Sequence, residues 1–208
     1  MNLFLDPANG LAAEPFSPPA PPLAVLVCGA PGSGKSTVGA LVARGLPAAL
    51  LDLDTATASL VAVIGELHGT DNLDDPSFAH RTRAARYEAL TSLAEDNLAA
   101  GISAVMVAPF TLERRDPRAW SALRRRMERV GASTTMVWLR ISADEVLRRV
   151  DQRGSERDLA KLRGDWSASL DLDPPAVPHL EVDALLSPAT MAEAVLSSLP
   201  REPRDRGP

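Results

Sequence analysis

Eight residues near the start of the chain, Gly29-Ala30-Pro31-Gly32-Ser33-Gly34-Lys35-Ser36, carry the spacing G-x-x-x-x-G-K-[ST]. Each residue type at that spacing has a chemical task. Glycine lets the backbone enter conformations closed to other residues, so successive N–H groups converge and make a nest for an anion. A helix opening just after the turn adds the positive end of its dipole. Lys35 supplies a cation that reaches the β- and γ-phosphates of a nucleotide, and the Ser36 hydroxyl is a ligand for Mg²⁺. The expected phosphate cradle therefore comprises Gly29, Ala30, Pro31, Gly32, Ser33, Gly34, Lys35, Ser36 and the adjoining Thr37. Its ligand is Mg·ATP, with Mg²⁺ as the cofactor.

A second constellation is Asp52-Leu53-Asp54, which closes a short apolar run. Read as a strand, residues two apart point the same way, which puts both carboxylates on one side of the strand's carboxyl end. In open α/β sheets that edge is where ligands bind. One of the two carboxylates can then help hold Mg²⁺ through water, and the other can accept the proton of an attacking hydroxyl. The competing reading is that one or both cap a helix starting at Thr55. Many P-loop proteins place a metal-organising Asp on another strand, but the run ending Val107-Ala108-Pro109-Phe110 carries no carboxylate.

Elements that can hold these groups follow from the pattern. Leu23–Cys28 (LAVLVC) is a continuous apolar run bounded by Pro22 and Gly29, as a central parallel strand requires. A helix over Lys35–Arg44 follows, then a strand Ala49–Leu53 and a helix Thr55–Leu67. Pro76–Ala100 reads as a long helix with Tyr87, Leu90, Ala94 and Leu98 on one face. Ile102–Ala108 and Thr134–Leu139 are further buried strands, separated by a helix that starts at Asp116-Pro117 and stops at Gly131. Ser142-Ala143-Asp144-Glu145 is a capping box. Leu180–Val182 reads as a fifth strand and Pro188–Leu199 as a closing helix. Strands alternating with helices of this length predict a parallel sheet covered on both faces, a three-layer α/β domain.

Composition is consistent with that domain. The 208 residues are 45% hydrophobic, enough for one packed core. A net charge of -5 argues against a long nucleic-acid partner, although 14 of the 22 Lys and Arg residues lie between Leu112 and Gly164 against 8 acidic ones. That local excess suits a small anionic ligand or a solvated helix face. Cys28 is a lone cysteine at the end of an apolar run and reads as a buried thiol. No run approaches the roughly 20 apolar residues a membrane span needs. Residues Met1–Pro22 carry five prolines between Pro15 and Pro22, an extended lead-in without a basic secretory signal. Residues Leu23–Leu199 form the expected domain and Pro200–Pro208 a frayed tail, in a soluble, cytoplasmic protein.

Taken together, GAPGSGKST, the D-x-D pair and Gly101–Arg115 (GISAVMVAPFTLERR) resemble the small P-loop kinases of the shikimate, gluconate and adenylylsulfate kinase group, an AAA-type, kinase-like class. The resemblance covers most of Leu23–Leu199. It implies the P-loop NTPase fold with a five-stranded parallel sheet of order 2-3-1-4-5 and a small helical lid, and it implies phosphorylation of a small-molecule hydroxyl. Leu147–Arg157 looks like the start of that lid, which would span about residues 151–165. The resemblance makes Asp52 the metal helper and Asp54 the base, and it makes Arg149 and Arg153, with Arg157 behind them, the arginines that neutralise the transferring phosphoryl group. It sets Arg81, Arg83 and Arg86, with Arg114 and Arg115, around the acceptor pocket. Trp120, Trp138 and Trp166 read as core or lid-packing residues, with Trp166 also a candidate to stack on a ligand.

The departures are specific. Leu53 stands where adenylylsulfate kinases have glycine, and no aromatic-Thr-Gly follows the lid. Val107-Ala108-Pro109-Phe110 replaces the glycine-rich substrate segment of shikimate kinases. Acceptor identity therefore does not carry over. Nucleoside, nucleotide or polynucleotide 5′-hydroxyl kinases share the fold, as do antibiotic-modifying phosphotransferases and nucleotide-dependent switches. The acidic pair favours a kinase over a switch, which gains little from a base aimed at an acceptor. Oligomeric state is not encoded in any of these features.

Overall fold

The computed structural model describes residues 20–70, 76–153 and 170–200. Five parallel strands, β1 (Leu23–Gly29), β2 (Ala49–Asp52), β3 (Ala104–Val107), β4 (Ser133–Arg140) and β5 (Leu180–Asp183), form one sheet in the order β2-β3-β1-β4-β5. The helices are α1 (Lys35–Gly45), α2 (Leu53–His68), α3 (Pro76–Ala99), α4 (Thr111–Arg115), α5 (Pro117–Arg129), α6 (Ala143–Arg153) and α7 (Pro188–Ser198).

β1 is the middle strand because it is apolar on both sides of its pleat. Val25 and Val27 enter a core with Val38 and Val42 of α1, Val146 and Val150 of α6, and Met191 and Val195 of α7. Ala24, Leu26 and Cys28 point the other way, into a core with Leu90, Ala94 and Leu98 of α3 and Trp120, Leu123 and Met127 of α5. Leu26 lies in register with Met106 on one side and Met136 on the other, so apolar rows run across the sheet. Each fully buried side chain of that size contributes about 1.5–3 kcal/mol. Gly39 lets α1 lie close on the sheet, since a Cβ there would meet Val107 Cγ2 at 2.4 Å. Among the described residues no helix is long and apolar enough to cross a membrane.

Element ends depart from the sequence reading where caps compete with strands. β2 stops at Asp52, and Leu53 is already helical, because the Asp52 carboxylate accepts hydrogen bonds from the N–H groups of Asp54 and Thr55. β3 starts at Ala104, since Gly101 at φ 80 and the Ile102 N–H bonded to Asn97 O are still closing α3. The short α4 has no counterpart in the sequence reading. Phe110 takes a left-handed conformation at φ 47 and starts it, and Asp116 ends it by capping α5 through the Arg118 N–H at 2.8 Å. The lid expected over residues 151–165 lies outside the described residues beyond the end of α6, as do Arg157, Trp166 and the side chain of Arg153.

Candidate active site

The loop between β1 and α1 is built for an anion. Gly29, Gly32 and Gly34 have φ of 147, 77 and 92, conformations that other residues rarely adopt. At Gly29 a Cβ would also meet Leu139 O and Ser33 Oγ, each at 2.9 Å. Gly34 caps α1 without a side-chain hydrogen bond, which leaves the first N–H groups of the helix to a ligand. The Ser33 hydroxyl is fully buried and without a hydrogen-bond partner. Lys35 bends back over the loop and donates from Nζ to Ala30 O at 2.9 Å. A phosphate chain fits this cradle, because it offers acceptors to donors that the protein itself leaves open.

Ser36 is the second residue of α1, and its hydroxyl donates to Asp52 Oδ2 at 2.7 Å. The two residues expected to hold Mg²⁺ therefore meet, although they come from different strand-to-helix joints. Among the described residues no group of three or more His, Cys, Asp or Glu side chains gathers for a metal. A cation here would be held by Ser36 and Asp52 together with phosphate oxygens, the usual arrangement for Mg²⁺.

Asp52 and Asp54 do not alternate along one strand, as the sequence reading had it. They straddle the β2–α2 joint, and the competing capping reading applies to Asp52. Asp54, on the first turn of α2, is 82% exposed, and its Oδ1 accepts from Arg86 Nη2 at 2.5 Å. Arg86 is fixed in turn by its Nε, which donates to the buried Thr57 hydroxyl at 2.9 Å. Arg86 was in reach of sequence reasoning, but its role as a brace for Asp54 was not.

The other arginines divide. Arg83 lies over the Tyr87 ring, 4.6 Å from the centroid, and Arg81, two residues earlier on α3, is exposed. The Tyr87 hydroxyl accepts from the Phe110 N–H at 3.0 Å, joining α3 to the carboxyl end of β3. Burial pushes the Tyr87 phenol up to about 12, so it stays protonated. Arg114 and Arg115, expected to border an acceptor pocket, instead clamp the segment before β5. Arg114 is 2% exposed and bonds Asp171 Oδ1 at 2.7 Å and Asp173 O at 3.1 Å. Arg115 bonds Asp171 and Asp173 at 2.6 and 3.2 Å. Both guanidinium charges are thus matched by carboxylates more than fifty residues away.

Arg149 is at the phosphate cradle but not on a loose segment. Its Nη1 donates to Gly32 O at 3.2 Å, its Nη2 to Ala184 O at 2.7 Å, and its Nε to Glu145 at 2.5 Å. Glu145 also receives Arg148, and the hydrogen bonds from Arg148 and Arg149 hold its carboxyl down at about 2. Cys28 lies beneath the cradle with its thiol donating to Val137 O at 3.2 Å, and burial pushes it up to about 12. It is a core residue without thiolate chemistry.

Sequence reasoning did not single out Glu113. One oxygen of this α4 carboxylate is buried without a hydrogen-bond partner, and burial raises its pKa against smaller opposing effects from its own backbone N–H and from Arg83. Within TLERR it reads as one more solvated charge, and no local signal separates it.

Comparison with known proteins bears on the fold. No curated protein matches the chain. Among solved structures, APS kinase of Mycobacterium tuberculosis in complex with AMPPNP and APS is 21% identical, with a TM-score of 0.58 over 86% of this chain and 98% of that one. A sugar kinase from Janibacter sp. HTCC2649 is 23% identical, with a TM-score of 0.56 over 85% and 94%. A gluconokinase from Sinorhizobium meliloti 1021 is 18% identical, with a TM-score of 0.53 over 85% and 91%. These similarities concern the fold. The family model described as AAA domain matches residues 25–165, which contain the cradle, both aspartates and the arginines of α3 to α6, and the chain belongs to that family.

Proposed function

We propose that this protein is a kinase that transfers the γ-phosphoryl group of ATP to a hydroxyl of a small molecule. The observation that carries the reading is the contact between Ser36 and Asp52, which brings the β2 edge against the phosphate cradle with Asp54 one helical residue beyond it. The acceptor oxygen attacks the γ-phosphorus, the bond from that phosphorus to the β–γ bridging oxygen breaks, and ADP leaves. The hydroxyl proton passes to the Asp54 carboxylate, whose orientation Arg86 maintains. Lys35 and the N–H groups of the cradle stabilise the charge that spreads over the phosphoryl oxygens. Bound Mg²⁺, held by Ser36 and Asp52, would neutralise part of the same charge. The contact of Arg149 with Gly32 O supports its assignment to the nucleotide's phosphates, and Arg153, four residues on in the sequence of α6, is the second arginine assigned to the transferring group. Residues 23–199 make up the working domain, active in the cytoplasm where ATP is plentiful.

The two aspartates separate the roles. Asp54→Asn lowers kcat by about 10²-fold with the KM for ATP within a few-fold, as loss of a base requires. Asp52→Asn raises the Mg²⁺ concentration needed for half-maximal rate. Initial rates across a Mg²⁺ titration decide the matter, and near-parental turnover in both variants would sink the mechanism.

A further inference from the structure

One flank of α2 is apolar and open. Leu53, at the start of the helix, joins the core that the sheet shares with α3 and α5. Further along, α2 rests on the first half of α3, where Arg86 reaches Asp54 and Thr57 and the His68 ring meets Phe78 edge-on, 6.1 Å between centroids. Thr57, Val61 and Gly65 are buried along the helix. On the neighbouring flank Leu60 is 65% exposed and Leu67 83%, with Val63 and Ile64 open between them. Ala56, Leu60, Val63 and Leu67 follow the alternating four- and three-residue steps of a two-helix seam, and Ile64 lies beside it. Single exposed leucines are ordinary, but a contiguous stripe of this kind marks an interaction surface.

The charges of α2 say what covers the stripe. They are Asp54 and Glu66, both acidic and both off the stripe by the helical period. Nothing on it attracts a nucleic acid or a charged peptide. An anionic lipid surface is repelled, since helices that lie on membranes carry Lys and Arg on their polar face. A second copy of the stripe, by contrast, meets the first without setting like charges together. We propose that α2 pairs with α2 of a second copy of this chain, antiparallel about a two-fold axis near Val63, so that Leu60 of each protomer packs on Leu67 of the other. The two stripes bury on the order of 1,000 Å² in all, the low end for a specific interface, so the dimer forms reversibly at about micromolar concentration. Asp54 lies on the flank of α2 away from the seam, which leaves it open to an acceptor. Pairing then braces the helix that carries Asp54 without covering the β2 edge.

The test is sedimentation velocity of the full chain between about 1 and 100 μM, where a shift from monomer to dimer is expected. Leu60→Glu and Leu67→Glu each raise the dissociation constant by at least about 100-fold, because every substitution enters the seam twice. Both positions are exposed, so the variants keep the parental affinity for Mg·ATP. Cysteine linking locates the axis independently. Val63→Cys gives a disulfide-linked dimer on mild oxidation and Ala58→Cys, on the opposite flank, does not; Cys28 is buried and adds no background. A chain that stays monomeric at every concentration overturns the proposal. So does a dimer that both leucine variants preserve, or linking through Ala58→Cys as fast as through Val63→Cys. A monomer that binds vesicles of phosphatidylcholine and phosphatidylserine, and loses them in Leu67→Glu, overturns it in favour of a lipid surface. Each of these failures leaves the kinase reading untouched, since none concerns the phosphate cradle or the aspartates.

Discussion

Lys35→Ala lowers phosphoryl transfer by about 10³-fold or more, below detection in an ordinary coupled assay. The size of the effect follows from where the ammonium stands. Lys35 is the first residue of α1, and its Nζ is drawn over the loop to Ala30 O at 2.9 Å. It therefore sits among backbone donors and adds a full positive charge to a nest of partial ones. A phosphate chain entering the loop is removed from water, where the loss of a fixed cation is worth more than at an exposed surface. Binding weakens as well, but the rate suffers most, because charge on the transferring group grows in the transition state. Titration calorimetry with Mg·ATP gives the binding part and single-turnover rates the remainder. Undiminished turnover with unchanged affinity would remove the cradle from the mechanism.

Arg114→Ala destabilises the fold by about 3 kcal/mol, the second large effect expected. The side chain is 2% exposed, and its guanidinium meets the Asp171 carboxylate and the carbonyls of Asp171 and Asp173. Truncation leaves Asp171, itself 23% exposed, with Arg115 as its remaining cation. It also frees two carbonyls from a donor they share. Urea denaturation measures the loss as a shift of the midpoint at constant slope. A double variant, Arg114→Met with Asp171→Leu, recovers much of it, because removing both charges spares the penalty of one left alone. A midpoint for Arg114→Ala equal to that of the parent would mean that the clamp contributes nothing.

The parts of this site that were legible in sequence are those set by short-range backbone demands. Gly29, Gly32 and Gly34 are needed where φ is positive, and the all-apolar run Leu23–Cys28 can only be a strand buried on both faces. The five-stranded order 2-3-1-4-5 followed from the resemblance and is the order found. Asp52 was identified from its place after an apolar run, but its geometry was misread, since propensity alone does not show that a carboxylate will cap the next helix at once. Arg114 was misplaced for a deeper reason. Its partner Asp171 lies 57 residues away, and nothing near Arg114 in sequence distinguishes a buried, matched guanidinium from one facing a ligand. Glu113 was lost in the same run of charges, because burial is a property of the packed layers around it.

The Asp52 carboxylate serves two neighbours with different atoms. Oδ1 receives the N–H groups at the start of α2, and Oδ2 receives Ser36. Folding and ligation therefore do not compete for the same lone pairs, and a cation drawn to Oδ2 leaves the helix cap in place. The division makes position 52 separable by chemistry. An asparagine keeps a carbonyl oxygen for the cap and replaces the ligating oxygen with an amide, whereas alanine removes both at once. Stability and metal dependence can accordingly be perturbed one at a time at a single side chain.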